Sequence, residues 1–228
     1  MAKPPSRRST STEVEKFLQQ SRNISTFVAK NPRLLFAVDA TASRQPTWDH
    51  ASRVQQEMFL AAGRAASLTV QLCYYRGFQQ FFASPWLTDS EQLARLMGQV
   101  RCEGGHTQIA RLLRHAQREH GKVPVRALVF IGDAIEENPD SLCNLAGQCG
   151  IRRLPLFMFQ EGHDRAVEQT FRSMAKLSGG AYARFDSTSA STLAALLGAV
   201  ARYATGGHAA LEKTTDDSAK LLLQQLKP

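Results

Sequence analysis

Apolar positions fall into two patterns along this chain. Some form short unbroken runs. Others recur every three to four residues over longer stretches. The unbroken runs predict strands at 33–38, 127–131 and 154–159, the alternating stretch with β-branched and aromatic residues predicts one at 67–75, and the Gly179-Gly180 turn leads into a short strand at 181–185. Helical stripes lie between them. Ala51, Val54, Met58 and Ala62 mark a helix over 46–63, with Pro46 suited to its first turn. Leu93, Leu96, Met97 and Val100 mark one from Asp89, and Ile109, Leu112, Leu113 and Ala116 one that Thr107 caps and Gly121 closes. Further helices are expected over 139–147, over 164–177 with Val167, Phe171 and Met174 inward, and over 189–205. Arg76-Gly77 reads as a tight turn into a strand at 78–83, which makes an antiparallel hairpin. Strands alternating with helices imply an α/β fold: a doubly wound, mostly parallel sheet with one antiparallel edge strand and helices on both faces.

Composition then divides the chain. Residues 1–12 are rich in Pro, Ser, Thr and Arg, and read as a disordered basic tail. Val14, Phe17, Leu18, Ile24, Phe27 and Val28 form the stripe of an amphipathic helix over 13–31, ended by Asn31-Pro32. The α/β domain spans 33–205. A polar tail over 206–228 carries a short helix at Leu221–Leu226 that is free to dock on the domain or on a partner.

At 228 residues and 43% hydrophobic, the chain has enough material for one core and no apolar run long enough to span a membrane. The amino terminus is basic but is followed by no apolar segment, so it is not a secretory signal. Cys73, Cys102, Cys143 and Cys149 form no CxxC pair and read as reduced thiols, which together with the missing signal points to the cytoplasm. The net charge of +8 favours an acidic protein surface, nucleic acid or an anionic membrane as partner. Lys3, Arg7, Arg8, Lys16, Arg22, Lys30 and Arg33 face only Glu13 and Glu15 before residue 34, which motivates a nucleic-acid reading that no motif supports.

The chemistry concentrates where the first run stops. Leu34-Leu35-Phe36-Ala37-Val38 meets Asp39, and hydroxyls follow at Thr41 and Ser43. Open α/β sheets bind ligands at the carboxyl ends of their strands, and an all-oxygen donor set suits a Mg²⁺-like ion. Two other loops carry matching groups: Gly104-Gly105-His106-Thr107 ahead of a helix, and Gly132-Asp133 after a central strand.

In order and spacing, these three loops resemble the metal-ion-dependent adhesion site of von Willebrand factor A domains, the intracellular bacterial kind included. The likeness covers residues 33–205. It implies a Rossmann-like fold and a Mg²⁺ (or Mn²⁺ or Ca²⁺) site formed by Asp39, Thr41, Ser43, Thr107 and Asp133. It further implies that the three hydroxyls bind the ion directly while the two aspartates act mainly through water. The function implied is that of an adaptor capturing an acidic side chain of a partner protein, not that of an enzyme. Departures from the pattern are Thr41 in place of serine, His106 between the glycines and Thr107, and Ala134 after Asp133.

Neighbouring residues carry weaker signals. Glu136, Glu137 and Asp140 are either a solvated loop or ligands of a second cation. His106 is a loop histidine open to a pH-sensitive partner contact. His115 and His120, five residues apart, miss the spacing of a helical metal pair and read as surface residues. Trp48 beside the turn is either core or partner anchor. No GxSxG elbow, P-loop or GxGxxG occurs, and Thr41 stands where a D-x-D phosphatase needs its second carboxylate. A metal-dependent hydrolase is thus the least supported reading.

Overall fold

A computed structural model describes residues 31–45, 68–185 and 190–226, with Thr12, Glu15 and Lys16. The tail over 1–12 and the helices expected over 13–31 and 46–63, with Trp48, lie outside the described residues apart from these few positions.

The described strands are β1 (Arg33–Asp39), β2 (Thr69–Arg76), β3 (Gln80–Ala83), β4 (Val125–Gly132), β5 (Leu156–Glu161) and β6 (Ala181–Phe185). They form one six-stranded sheet in the order β3-β2-β1-β4-β5-β6. Only β3 runs antiparallel, through the register Cys73↔Ala83 to Arg76↔Gln80. Described helices are α1 (Ser90–Gln99), α2 (Ile109–Lys122), α3 (Pro139–Ile151), α4 (Arg165–Ser178), α5 (Ala190–Glu212) and α6 (Asp217–Leu223).

The apolar runs are continuous because the central strands are covered on both sides. One core cluster joins Phe36, Val38, Leu72, Val129 and Phe157 to Met97 of α1, Leu196 and Val200 of α5, and Leu222 of α6. The other joins Leu35, Ala37, Leu128, Phe130 and Met158 to Leu113 of α2, Leu142 of α3 and Phe171 of α4. The sheet thus has helices on both faces, as the alternation of elements predicts.

Element ends differ from expectation in instructive ways. The hairpin turns over Gly77–Gln79 instead of Arg76-Gly77, with left-handed backbone at Gly77 (φ 57°) and Gln79 (φ 76°). α5 continues past Gly206-Gly207, kinking at Gly207 (φ 66°, ψ −157°) instead of ending at 205. The last helix starts at Asp217, with Asp216 accepting from the Ser218 N–H. It packs on the domain. Ala219, Leu222 and Leu226 are buried, and Gln225 treats the edge strand β6 as a neighbouring strand would. Its Oε1 accepts from the Tyr182 N–H (2.9 Å) and its Nε2 donates to the Tyr182 carbonyl (2.9 Å). That side chain covers one open sheet edge.

The two α2 histidines are not surface residues. His115 is half-buried and donates from Nε2 to Gln71 Oε1 (2.8 Å), against the Phe81 ring. His120 Nδ1 receives the Val125 N–H (3.1 Å) and so joins the helix end to β4. Sequence spacing excluded a metal pair but did not reveal these packing roles.

Two predictions follow from this packing. Leu222→Ala should cost about 2–5 kcal/mol in urea unfolding, because the deleted methyl groups leave a cavity in a shared core. Burial holds the His115 imidazole below its ordinary range. The unfolded chain therefore takes up this proton first, so the stability His115 contributes is present above about pH 6.5 and is lost as pH falls below it. His115→Gln should flatten that acid-side slope in melting temperatures recorded across pH.

Candidate metal centre

The winding of the sheet selects the site. From β1 the chain moves outward to β2 and β3, then returns to place β4 on β1's other side. The connections after β1 and β4 therefore diverge, and a crevice opens at the carboxyl ends of these two strands. Asp39 ends β1, and Asp133 follows Gly132 at the end of β4.

Asp39 is fully buried, and its carboxylate is held from two sides. Oδ1 accepts from the Thr41 N–H (2.7 Å), and Oδ2 accepts from the Tyr75 hydroxyl on β2 (3.0 Å). The turn then presents Thr41 Oγ1 and Ser43 Oγ side by side at 3.2 Å, with Ser43 exposed. Two hydroxyl oxygens this close could both serve one hard cation. Burial raises the Asp39 carboxyl above its ordinary range. The Thr41 hydrogen bonds and Arg44 oppose that shift, and the Asp133 charge adds to it. Asp133 Oδ1 is itself buried with no hydrogen-bond partner. A buried, unsatisfied carboxylate oxygen beside a second buried carboxylate and two paired hydroxyls is a donor set that fits a hard divalent cation.

Thr107 is held by the loop that follows β4. Its backbone N–H donates to Glu136 Oε2 (2.8 Å), and its hydroxyl accepts from the Glu136 N–H (3.0 Å) and supports the Glu137 carboxylate. Among the described residues no hydrogen bond joins it to Asp39, Thr41 or Ser43. The loop that carries it is also tied to the Asp39 turn, where the Glu103 N–H donates to the Ala40 carbonyl (3.0 Å). Thr107 does not cap α2. Glu137 does so from the neighbouring loop, accepting from the N–H groups of Ile109 (2.6 Å) and Ala110 (2.8 Å), where a negative charge suits the helix dipole. Glu136 also meets His106 Nδ1 (3.1 Å), and the His106 ring stands edge-on to exposed Phe78 at the hairpin tip, 5.5 Å between centroids. The two acids are thus structural anchors for the Thr107 loop. The same loop needs Gly105, since a Cβ there would run into the Gly77 carbonyl. No group of three or more His, Cys, Asp or Glu side chains that could hold a metal occurs among the described residues.

Three residues of the site gave no sequence signal. Arg44 follows the polar turn and would pass for a surface cation, yet it is only 1% exposed. Its Nη1 donates to the Asp39 carbonyl (2.9 Å), and its Nε and Nη2 reach Glu161 Oε2 at the end of β5 (2.9 and 2.8 Å). Tyr75 and Glu161 close two apolar strands and would pass for core and rim. Burial pushes the thiol of nearby Cys102 up to about 11. On the α4 side the crevice widens into a cleft of about 300 Å³ lined by Asp133, Glu136, Glu137, Asp164 and Thr170, among others.

Comparison with known proteins bears on the fold. No family model matches the sequence, and no curated protein does. Solved structures do match. The VWA domain of SpRpn10 superposes with a TM-score of 0.57 at 10% identity, over 71% of this chain and 94% of that one. The fold is that of a von Willebrand factor A domain. The vWF domain of the type V pili tip protein Mfa5 from Porphyromonas gingivalis gives 0.57 at 10% identity, over 74% and 93% of the two chains. An aerotolerance-related membrane protein from Bacteroides fragilis gives 0.58 at 16% identity, over 73% and 96%. No helix among the described residues is long and apolar enough to cross a membrane.

The ion pair generates a prediction. Arg44→Met leaves Glu161 buried without its cation and should cost about 3–5 kcal/mol in urea unfolding, whereas adding Glu161→Leu should recover most of the loss. Equal stability of wild type and Arg44→Met would show that the pair does not hold the turn.

Proposed function

We propose that the chain is a protein-interaction module that captures a carboxylate of an acidic partner through a divalent cation, Mg²⁺ or else Mn²⁺ or Ca²⁺, at Asp39, Thr41, Ser43, Thr107 and Asp133. The observation that carries this reading is the donor set at the sheet's switch point: the Thr41–Ser43 hydroxyl pair beside buried Asp39 and the unsatisfied Asp133 Oδ1.

A bound ion would offer an open coordination position to an incoming Asp or Glu. The chain's own residues do the rest. Tyr75 and the Thr41 N–H hold the Asp39 carboxylate in place, so it backs the site without turning outward. Arg44 fixes the backbone of the turn from behind. The Thr107 loop, tied to Glu136 and Glu137, closes the far wall. Neutral hydroxyls as direct ligands would leave a bound ion short of negative charge, which would favour a carboxylate from outside. None of these side chains is arranged as a nucleophile with its base, so the proposal is binding rather than catalysis. The excess of positive charge would speed the approach of an acidic partner.

The test is a melting curve. Mg²⁺ should raise the melting temperature, with a titration heat of matching affinity. Asp39→Asn, whose Oδ1 can still accept from the Thr41 N–H while its Nδ2 donates to the Tyr75 oxygen, and Ser43→Ala should each remove the shift while the metal-free fold persists. Identical curves in Mg²⁺ and in chelator would end the proposal.

A further inference from the structure

We infer that the opposite pole of the molecule, formed by the carboxyl ends of α2, α3 and α4, is a docking face for an anionic lipid surface. Each of these helices feeds a parallel strand, so all three end together at the amino ends of the strands. Two aliphatic side chains stand out there. Ile151 is 86% exposed and Leu177 is 50% exposed. They are brought together because Gly150 lets α3 press against the Leu177 carbonyl, where any Cβ would collide. Arg152, Arg153 and Lys176 flank them, all exposed and none in an ion pair among the described residues.

The fold does not ask for this arrangement. α4 ends on Gly179 in the left-handed region (φ 75°), as helix ends commonly do. α3 ends by the same kind of turn, with the Leu154 N–H on the Cys149 carbonyl, yet Arg153 occupies the left-handed position (φ 60°). A long cationic side chain sits where glycine would be easier.

A bilayer fits these observations better than a nucleic acid does. Cations alone serve a phosphate backbone, which has no place for a protruding isoleucine. A lipid surface takes both, with headgroup phosphates for the arginines and acyl chains for the aliphatic tips. The chain also enters β1 at this pole. The sequence before residue 33 combines an apolar stripe with an excess of Lys and Arg, the pattern of an interfacial helix.

The full chain should co-sediment with phosphatidylserine–phosphatidylcholine vesicles and not with phosphatidylcholine alone, and should do so in chelator as well as in Mg²⁺. This separates it from the metal site. Ile151→Ser with Leu177→Ser should weaken the partition about tenfold. Arg153→Gly should weaken vesicle binding while raising the melting temperature, a combination that damage to the fold cannot produce. Failure of the wild type to bind phosphatidylserine vesicles would overturn the inference. So would binding unchanged by the two serine substitutions, or retention on single-stranded DNA equal to that on vesicles, which would reduce the face to general charge attraction.

Discussion

β1 is hydrogen-bonded on both edges, to β2 and to β4, and much of the remaining structure follows from that. A strand so enclosed has no access to water until it ends. Its last residue is a carboxylate that is still fully buried. Burying an acid without partners is expensive. The Thr41 N–H, the Tyr75 hydroxyl and the nearby Arg44 guanidinium are the local answer. The sharp turn, the inward arginine and the outward Ser43 all serve the need to satisfy Asp39 where the sheet changes its winding direction.

Hydrogen bonding around that point is incomplete within the described residues. Arg44 pairs with Glu161 and holds the Asp39 carbonyl, while one oxygen each of Asp133 and Glu161 has no hydrogen-bond partner. A polar network left partly unsatisfied in a well-packed domain is a standing electrostatic cost. It is also the condition under which a small divalent cation is worth most. Arg44 supports the turn from the protein side, through the Asp39 carbonyl and Glu161.

Parallel strands joined by helices give the molecule two unlike ends. Strand carboxyl ends and helix amino ends meet at the crevice, where Asp133, Glu136, Glu137 and Asp164 collect. Strand amino ends and helix carboxyl ends meet at the other pole, where arginine and lysine surround exposed aliphatic side chains. Helix dipoles favour this sorting of charge, since acids suit helix amino ends and bases suit helix carboxyl ends. Gln225 caps the open edge of β6 at Tyr182 with its side-chain amide.

Local pattern was enough to locate the described strands and helices, because a strand buried on both faces must be written as an unbroken apolar run, and an amphipathic helix as a stripe. It was also enough to single out Asp39, Thr41 and Ser43, which lie within one turn and whose spacing is read directly. Contacts between distant segments were not legible. Thr107 looked like a helix cap, but Glu137 from another loop takes that role, and only the packing of the two loops decides which acid reaches the helix end. His115 and His120 looked like surface residues because helix position alone does not show which strand lies beneath. Arg44 and Glu161 are 117 residues apart in the chain, and nothing near either one marks it as half of a buried pair. Sequence determines what each segment forms and which groups it carries, because those depend on neighbours along the chain. Tertiary structure alone decides which charges are buried together, because that depends on the order in which the strands are laid side by side.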